Sequence, residues 1–177
     1  YEISVRDWSS DVCSSDRHVT VRVDASHVTP TKAYELIGDF ARYPELTDAV
    51  KEVRIDPAAE TGGLISTWTV AFRNGLLSWT ERDVWDTDAR TITFTQLSGD
   101  FLSFEGVWRI AGSGEPEGSR VTFEAVFDLG IPSLAELLDP VAEAALRDNI
   151  VRILGSLLGE LRVVDDVPLA DAVASGG

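Results

Sequence analysis

The chain has 177 residues, 44% of them hydrophobic, with 30 acidic residues against 15 basic and a formal net charge of −15. Such a field repels nucleic-acid phosphate and anionic lipid headgroups, and no basic stripe interrupts it, so neither is an expected partner. No apolar run approaches the ~18 residues of a membrane span, and no charged start precedes an apolar segment, so no transmembrane segment is expected and a cytoplasmic location is. The single cysteine, Cys13, excludes an intrachain disulfide and a thiolate metal cluster.

At this length one domain with a sizeable core is expected. Residues 1–16 carry the clusters Ser9-Ser10-Asp11 and Ser14-Ser15-Asp16 and little apolar alternation. They read as a translated sequencing-adapter scar or as a disordered natural tail, and on either reading Trp8 and Cys13 stand outside the fold. The folded unit is expected over residues 17–162, with residues 163–177 as a flexible tail.

In chain order, His18–Asp24 alternates with period two and predicts a half-buried strand. Thr29-Pro30-Thr31 opens a helix with proline in its first turn, and Ala33, Leu36, Ile37 and Phe40 form its buried stripe. A second short helix around Arg42–Asp48 leads into a strand over Val50–Asp56. Strand Leu64–Phe72 joins Leu76–Trp85 through Asn74-Gly75, a hairpin signal in which both residues take positive φ. Further strands are expected over 91–97, 101–111 and 120–129. A last helix from Pro132-Ser133 to about Leu161, kinked or divided by Pro140, carries Leu146, Ile150, Ile153, Leu154, Leu157, Leu158 and Leu161 at helical spacing.

This order, with the segments 38–46 (Gly38-Asp39-Phe40 through Tyr43-Pro44), Val50-Lys51-Glu52-Val53, Trp79-Thr80-Glu81-Arg82-Asp83 and Gly99-Asp100-Phe101 through Trp108, resembles the helix-grip domains of the START and birch-pollen-allergen-like superfamily (SRPBCC). Within it the likeness is to the polyketide cyclase/dehydrase and coenzyme Q-binding group, and it covers roughly His18–Leu161. It implies an α+β helix-grip fold: a curved antiparallel β-sheet wrapped around a long C-terminal α-helix, with two short helices after strand 1 and an apolar cavity between the layers. It also implies a hydrophobic small-molecule ligand (a quinone, isoprenoid, lipid or aromatic polyketide) or cyclisation of a poly-β-ketone chain.

Which residues face that cavity follows from the period of two. The tryptophans put Leu77, Trp79, Glu81, Asp83 and Trp85 inside on one strand. By the same parity Trp68, Val70, Phe72, Ile92, Phe94 and Gln96 point in, then Leu102, Phe104, Trp108, Val121, Phe123, Ala125 and Phe127. Any one of these reads equally as core packing; the cavity is the reading of the set. The ligand-binding candidates are therefore Trp68, Phe72, Trp79, Trp85, Phe94, Gln96, Phe104, Trp108, Phe123 and Phe127, with Asn149 from the last helix.

Glu81 and Asp83 are the sharper signal. Two carboxylates two residues apart on an apolar face disfavour each other's charge, and such a pair can serve as general acid or base. The favoured competing reading places both at the cavity mouth, solvated or paired with arginine. The resemblance implies an inward arginine on this strand in aromatase/cyclases; here Arg82 has outward parity and Asp83 takes the slot, unless a bulge shifts the register. Arg152 reads as solvent-facing, Tyr34 and Tyr43 as lesser candidates to offer a phenol, and His18 and His27 as surface residues.

No P-loop, dinucleotide glycine pattern, Gly-x-Ser-x-Gly elbow or paired-histidine motif occurs, so no metal, nucleotide or other cofactor is expected. Two functions stand: binding or carriage of the hydrophobic molecule, which is preferred, and an aromatase/cyclase or dehydratase using Asp83 or Glu81. A ribosome-associating role, suggested by family likeness, conflicts with the acidity. The oligomeric state is open, a homodimer included.

Overall fold

The computed structural model describes residues 16–56, 63–130 and 135–164. The expectations for the first fifteen residues, for a helix start at Pro132-Ser133 and for a tail beyond residue 164 fall outside this range. The elements are β1 (Arg17–Ala25), α1 (Pro30–Gly38), a 3-10 turn over Phe40–Arg42, α2 (Tyr43–Leu46), β2 (Val50–Asp56), β3 (Leu64–Phe72), β4 (Gly75–Asp86), β5 (Thr91–Gly99), β6 (Ser103–Gly112), β7 (Ser119–Asp128), α3 (Ala135–Leu158) and β8 (Leu161–Val163). The strands form one antiparallel sheet in the order β2-β3-β4-β5-β6-β7-β1-β8, against which α3 packs.

Local chemistry explains the boundaries. Thr29 caps α1 by accepting the Lys32 backbone N–H, and Pro30 occupies the first turn, where no intrahelical N–H is needed. β7 alternates buried and half-buried along its whole length, with Val121, Phe123, Ala125 and Phe127 inside. Its partner β1 buries Val19, Val21 and Val23, and α3 packs on β1, adding Ile150, Ile153, Leu154, Leu157 and Leu158 to the same core. Pro140 lies inside α3, which runs unbroken from Ala135 to Leu158.

Four details differ from the sequence reading. The β3–β4 loop is Arg73-Asn74, because Gly75 already pairs with Phe72; the left-handed φ, 54°, falls on Arg73 rather than on Asn74 and Gly75. Residues 100–102 form a bend, held where Ser78 N–H donates to the Asp100 carboxylate at 2.6 Å. The alternation restarts at Ser103, so Phe101 turns inward while Leu102, expected inside, is 69% exposed. The last helix stops at Leu158, and Leu161–Val163, expected as the end of that helix and the start of a tail, forms β8 beside β1.

The fourth is the β4–β5 register. It shifts between Thr80 and Glu81, with Thr80 opposite Ser98 and Glu81 opposite Gln96. The extra residue is therefore Leu97 on β5, and the alternation of β4 is undisturbed. Glu81 and Asp83 remain inward and Arg82 outward.

A candidate ligand cavity and its carboxyl pair

Between the sheet and α3 lies a cavity of about 70 Å³. A water needs roughly 10–15 Å³ on this scale, so the space is larger than a packing defect. Phe40 and Tyr43 close one side, Trp68, Val70, Trp79, Phe94, Phe104, Trp108 and Phe123 form the sheet wall, and Leu146, Asn149, Ile150 and Ile153 come from α3. Of the half-buried lining residues, Phe72, Leu77, Leu146 and Asn149 belong to the turn end of the β3–β4 hairpin and the facing stretch of α3. There Asn149 Nδ2 donates to the Ala71 carbonyl at 2.7 Å.

The aromatic wall is ordered by register. Trp68 and Trp79 are directly opposite across β3 and β4, so their rings stack, 6.3 Å apart and 10° from parallel. Gly106 faces Phe94 across β5 and β6; a Cβ there would come within 2.6 Å of the Phe94 ring and 2.2 Å of the Glu124 carbonyl. Glycine at this position is what lets the Phe94 ring lie against the sheet.

Glu81 is the acidic member of the lining, 5% exposed, and Asp83 behind it is fully buried. The expectation that the two sit solvated at the mouth or paired with arginine is overturned: among the described residues neither makes a salt bridge. Their partners are neutral donors. Trp79 Nε1 donates to Glu81 Oε2 at 2.6 Å, and Trp68 Nε1 donates to Ser66 Oγ at 2.8 Å. Ser66 in turn donates to Asp83 Oδ2 at 2.5 Å.

Burial pushes the Glu81 carboxyl well above the usual carboxylate range, and the Asp83 charge adds to it, against the indole N–H groups of Trp79 and Trp68. Burial likewise raises Asp83 to about 6, opposed by hydrogen bonds from Ser66 and Glu81. Asp83 Oδ1 is buried with no hydrogen-bond partner among the described residues, which adds to the cost of ionising the pair. Burial and the repulsion between the two carboxylates both disfavour the doubly ionised pair. Tyr43, fully buried, donates its hydroxyl to the Ile37 carbonyl at 2.5 Å, and burial followed by the nearby Asp83 and Glu81 charges raises its pKa.

The cavity gathers Trp68, Phe72, Trp79, Phe94, Phe104, Trp108, Phe123, Asn149 and Glu81 from the sequence-based set. It leaves out Asp83, Trp85, Gln96 and Phe127. Trp85 packs on Phe40, 5.3 Å away, with Gly38 over its indole nitrogen. Gln96 turns aside to donate to the Phe101 carbonyl at 2.9 Å. Phe127 is sealed in the core against Phe101. Arg152 is exposed and pairs with Asp48, and Tyr34 is buried outside the lining. Sequence reasoning missed Ser66 and Phe101, and read Phe40 only as part of the buried stripe of α1, whereas it lies in the 3-10 turn that follows and lines the cavity. Extending the β3 parity back from Trp68 would have found Ser66; Phe101 lies in a bend, where no period applies.

No helix among the described residues is long and apolar enough to cross a membrane. The chain is similar in fold to several solved structures. The protein TTHA0849 from Thermus thermophilus aligns at 24% identity and TM-score 0.71 over 80% of this chain and 94% of that one. The Zhui aromatase/cyclase from Streptomyces sp. R1128 aligns at 21% and 0.67, over 81% and 92%. A START superfamily protein from Mycobacterium smegmatis aligns at 15% and 0.66, over 80% and 96%. No curated protein matches the sequence. The profile of one family, described as polyketide cyclase / dehydrase and lipid transport, matches residues 26–153. With a helix-grip fold around an aromatic cavity and most of its length under that profile, the chain belongs to the polyketide cyclase/dehydrase and lipid transport family.

Proposed function

We propose that the chain binds and carries a hydrophobic small molecule in the cavity between sheet and α3. The observation that carries this reading is the lining itself: aromatic and aliphatic side chains from the sheet, α3 and the Phe40–Tyr43 segment around a space with Glu81 and Asn149 as its polar points. Each Å² of ligand surface removed from water there contributes ~25 cal/mol, and few polar groups are needed to orient it. A volume of about 70 Å³ favours a compact ring system over a long isoprenoid or acyl chain. Native mass spectrometry of the purified protein, followed by denaturing extraction, tests it. A stoichiometric apolar molecule, or stoichiometric loading by an added aromatic compound, supports the reading; a protein that is empty and cannot be loaded contradicts it.

A second reading is favoured by the carboxyl pair alone. Glu81, with Asp83 as its proton partner, would act as acid or base in aldol closure and water loss on a poly-β-ketone. The Zhui protein is an aromatase/cyclase of the same fold, which supports the fold but not the chemistry. Glu81 has no acid/base companion in the lining except Tyr43, whose hydroxyl is committed to the Ile37 carbonyl. The binding reading is therefore the stronger. Turnover of a cyclisable substrate, lost in Glu81→Gln with binding retained, would reverse that order.

A further inference from the structure

The Glu81 end of the cavity is rich in acceptors and holds no counter-charge. Glu81 lines the space and is 5% exposed, and Asp83, two positions along β4, is fully buried. No lysine, arginine or histidine is in the lining, and Arg82, between the two carboxyls, is exposed. Two residues next to Glu81 each bury an oxygen without a partner. One is Asp83, through Oδ1; the other is Gln96, through Oε1, directly opposite Glu81 across β4 and β5. The hydrogen bonds from Trp79 to Glu81 and from Ser66 to Asp83 come from neutral groups. Asn149, the amide of the lining, belongs to the other end. It is tied to Ala71, whereas Glu81 faces Ser66, and the β3 backbone between those two residues runs roughly 17 Å at ~3.4 Å per residue. Ten of the eighteen lining residues are aromatic, so the space beside Glu81 is walled by rings, Trp68 and Trp79 among them. A ring face attracts a cation, tryptophan best, and more strongly where water is excluded.

We propose that the cavity takes a compact aromatic amine in its ammonium form, with the charge against Glu81 and the ring among the tryptophans and phenylalanines. The proposal rests on the cavity being the ligand site. It narrows the ligand from apolar molecules in general to those that carry one positive charge. An ammonium brings both things this end of the cavity lacks, a counter-charge and up to three N–H donors. Burial without a cation raises both carboxyls, and a cation beside Glu81 lowers that cost. A neutral ligand of the same shape keeps the apolar contacts and gains no ion pair. The net charge of −15 adds a long-range attraction for cations, which raises their rate of encounter.

The test is isothermal titration calorimetry at pH 7 with 2-naphthylmethylammonium and 2-naphthalenemethanol, on the wild type and Glu81→Gln. The alcohol has nearly the same shape and still offers a hydrogen-bond donor, so the two probes differ chiefly in charge. The wild type is expected to bind the ammonium at least about tenfold more tightly, the size of one charge-assisted hydrogen bond. In Glu81→Gln that preference should vanish while the alcohol still binds. If Glu81→Gln does not fold, Asp83→Asn, which removes the neighbouring charge, is read in its place and should show a reduced preference. Equal or tighter binding of the alcohol by the wild type would overturn the amine selection and leave the cavity reading standing. A preference that persists unchanged in the variant would also overturn it, because the cation would then lie away from the carboxyl pair. Binding of neither probe would overturn the cavity reading and this proposal together.

Discussion

Trp79 Nε1 lies 2.6 Å from Glu81 Oε2, so two residues separated by one position on β4 are joined side chain to side chain along the cavity wall. Across the sheet Trp68 makes the same move in the opposite chain direction, donating to Ser66, which reaches diagonally to Asp83. In the β3–β4 register Trp68 faces Trp79 and Ser66 faces Glu81. The two indoles are thus wall and anchor at once: their faces stack, and their N–H groups hold the carboxyl pair in place.

Stability should fall as pH rises through about 6. Asp83 is raised from 3.8 to about 6 in the folded chain, chiefly by burial. A raised carboxyl contributes stability that is complete below its unfolded pKa and is lost as pH climbs through the folded one. Glu81, raised for the same reason, carries the decline to higher pH. Urea unfolding between pH 4 and pH 9 checks this, with the part of the fall near pH 6 absent in Asp83→Asn. A rising profile, or one unchanged by the substitution, would count against the buried pair.

Trp79→Phe keeps an aromatic wall but removes the donor to Glu81. The variant should lose about 1–3 kcal/mol, the usual cost of an unpaired buried polar group. Leu77→Phe, on the same strand and also in the lining, leaves that bond intact and serves as the control. Chemical denaturation of both variants separates loss of the bond from general disturbance of the wall.

Gly106→Ala should be among the most damaging small changes available. The new methyl would lie 2.2 Å from the Glu124 carbonyl and 2.6 Å from the Phe94 ring, both inside the sheet. Overpacking of this kind costs about 1–3 kcal/mol or more. Gly112→Ala, where a Cβ meets nothing within 4 Å, should be close to neutral in the same thermal melt.

The short strand β8 depends on Asp24. Arg120 reaches that carboxylate through two nitrogens, at 2.7 and 2.9 Å, and Arg162 of β8 adds a third contact at 2.8 Å. The Arg120 hydrogen bond leads the causes that hold Asp24 at about 2. A lowered carboxyl gives stability present above the unfolded pKa and lost as pH falls through the folded one. Asp24→Asn should therefore speed amide exchange at residues 161–163 at neutral pH, with a smaller effect for Arg162→Ala, because that side chain is 71% exposed. Unchanged exchange in Asp24→Asn would show that backbone pairing alone holds β8.

Much of this fold was legible because strands carry their orientation in a period of two. β2 and β3 begin and end at the expected residues, and the inward positions of β4 and β7 follow directly from Trp79, Trp85, Phe123 and Phe127. What was hidden depended on contacts between distant segments. Phe101 and Leu102 exchange roles because Asp100 is drawn to the Ser78 backbone, a tie of twenty-two residues. β8 is too short to show a pattern and exists through its pairing with β1. The depth of Glu81 and Asp83 was misjudged because parity gives the face of a strand, not what covers it. Phe40 and Tyr43, from the turn and helix after α1, provide that cover.

The most direct test of the account is fluorescence titration with the neutral probe N-phenyl-1-naphthylamine on the wild type and on Ile153→Trp, which puts bulk from α3 into the cavity. Ile153 is 6% exposed and lines the space, so the larger side chain must occupy it. The account predicts saturable 1:1 binding by the wild type and binding roughly tenfold weaker or worse in the variant, ~1.4 kcal/mol at least, with the far-UV circular dichroism unchanged. Equal affinity in the two proteins would place the ligand elsewhere and contradict the cavity as the binding site.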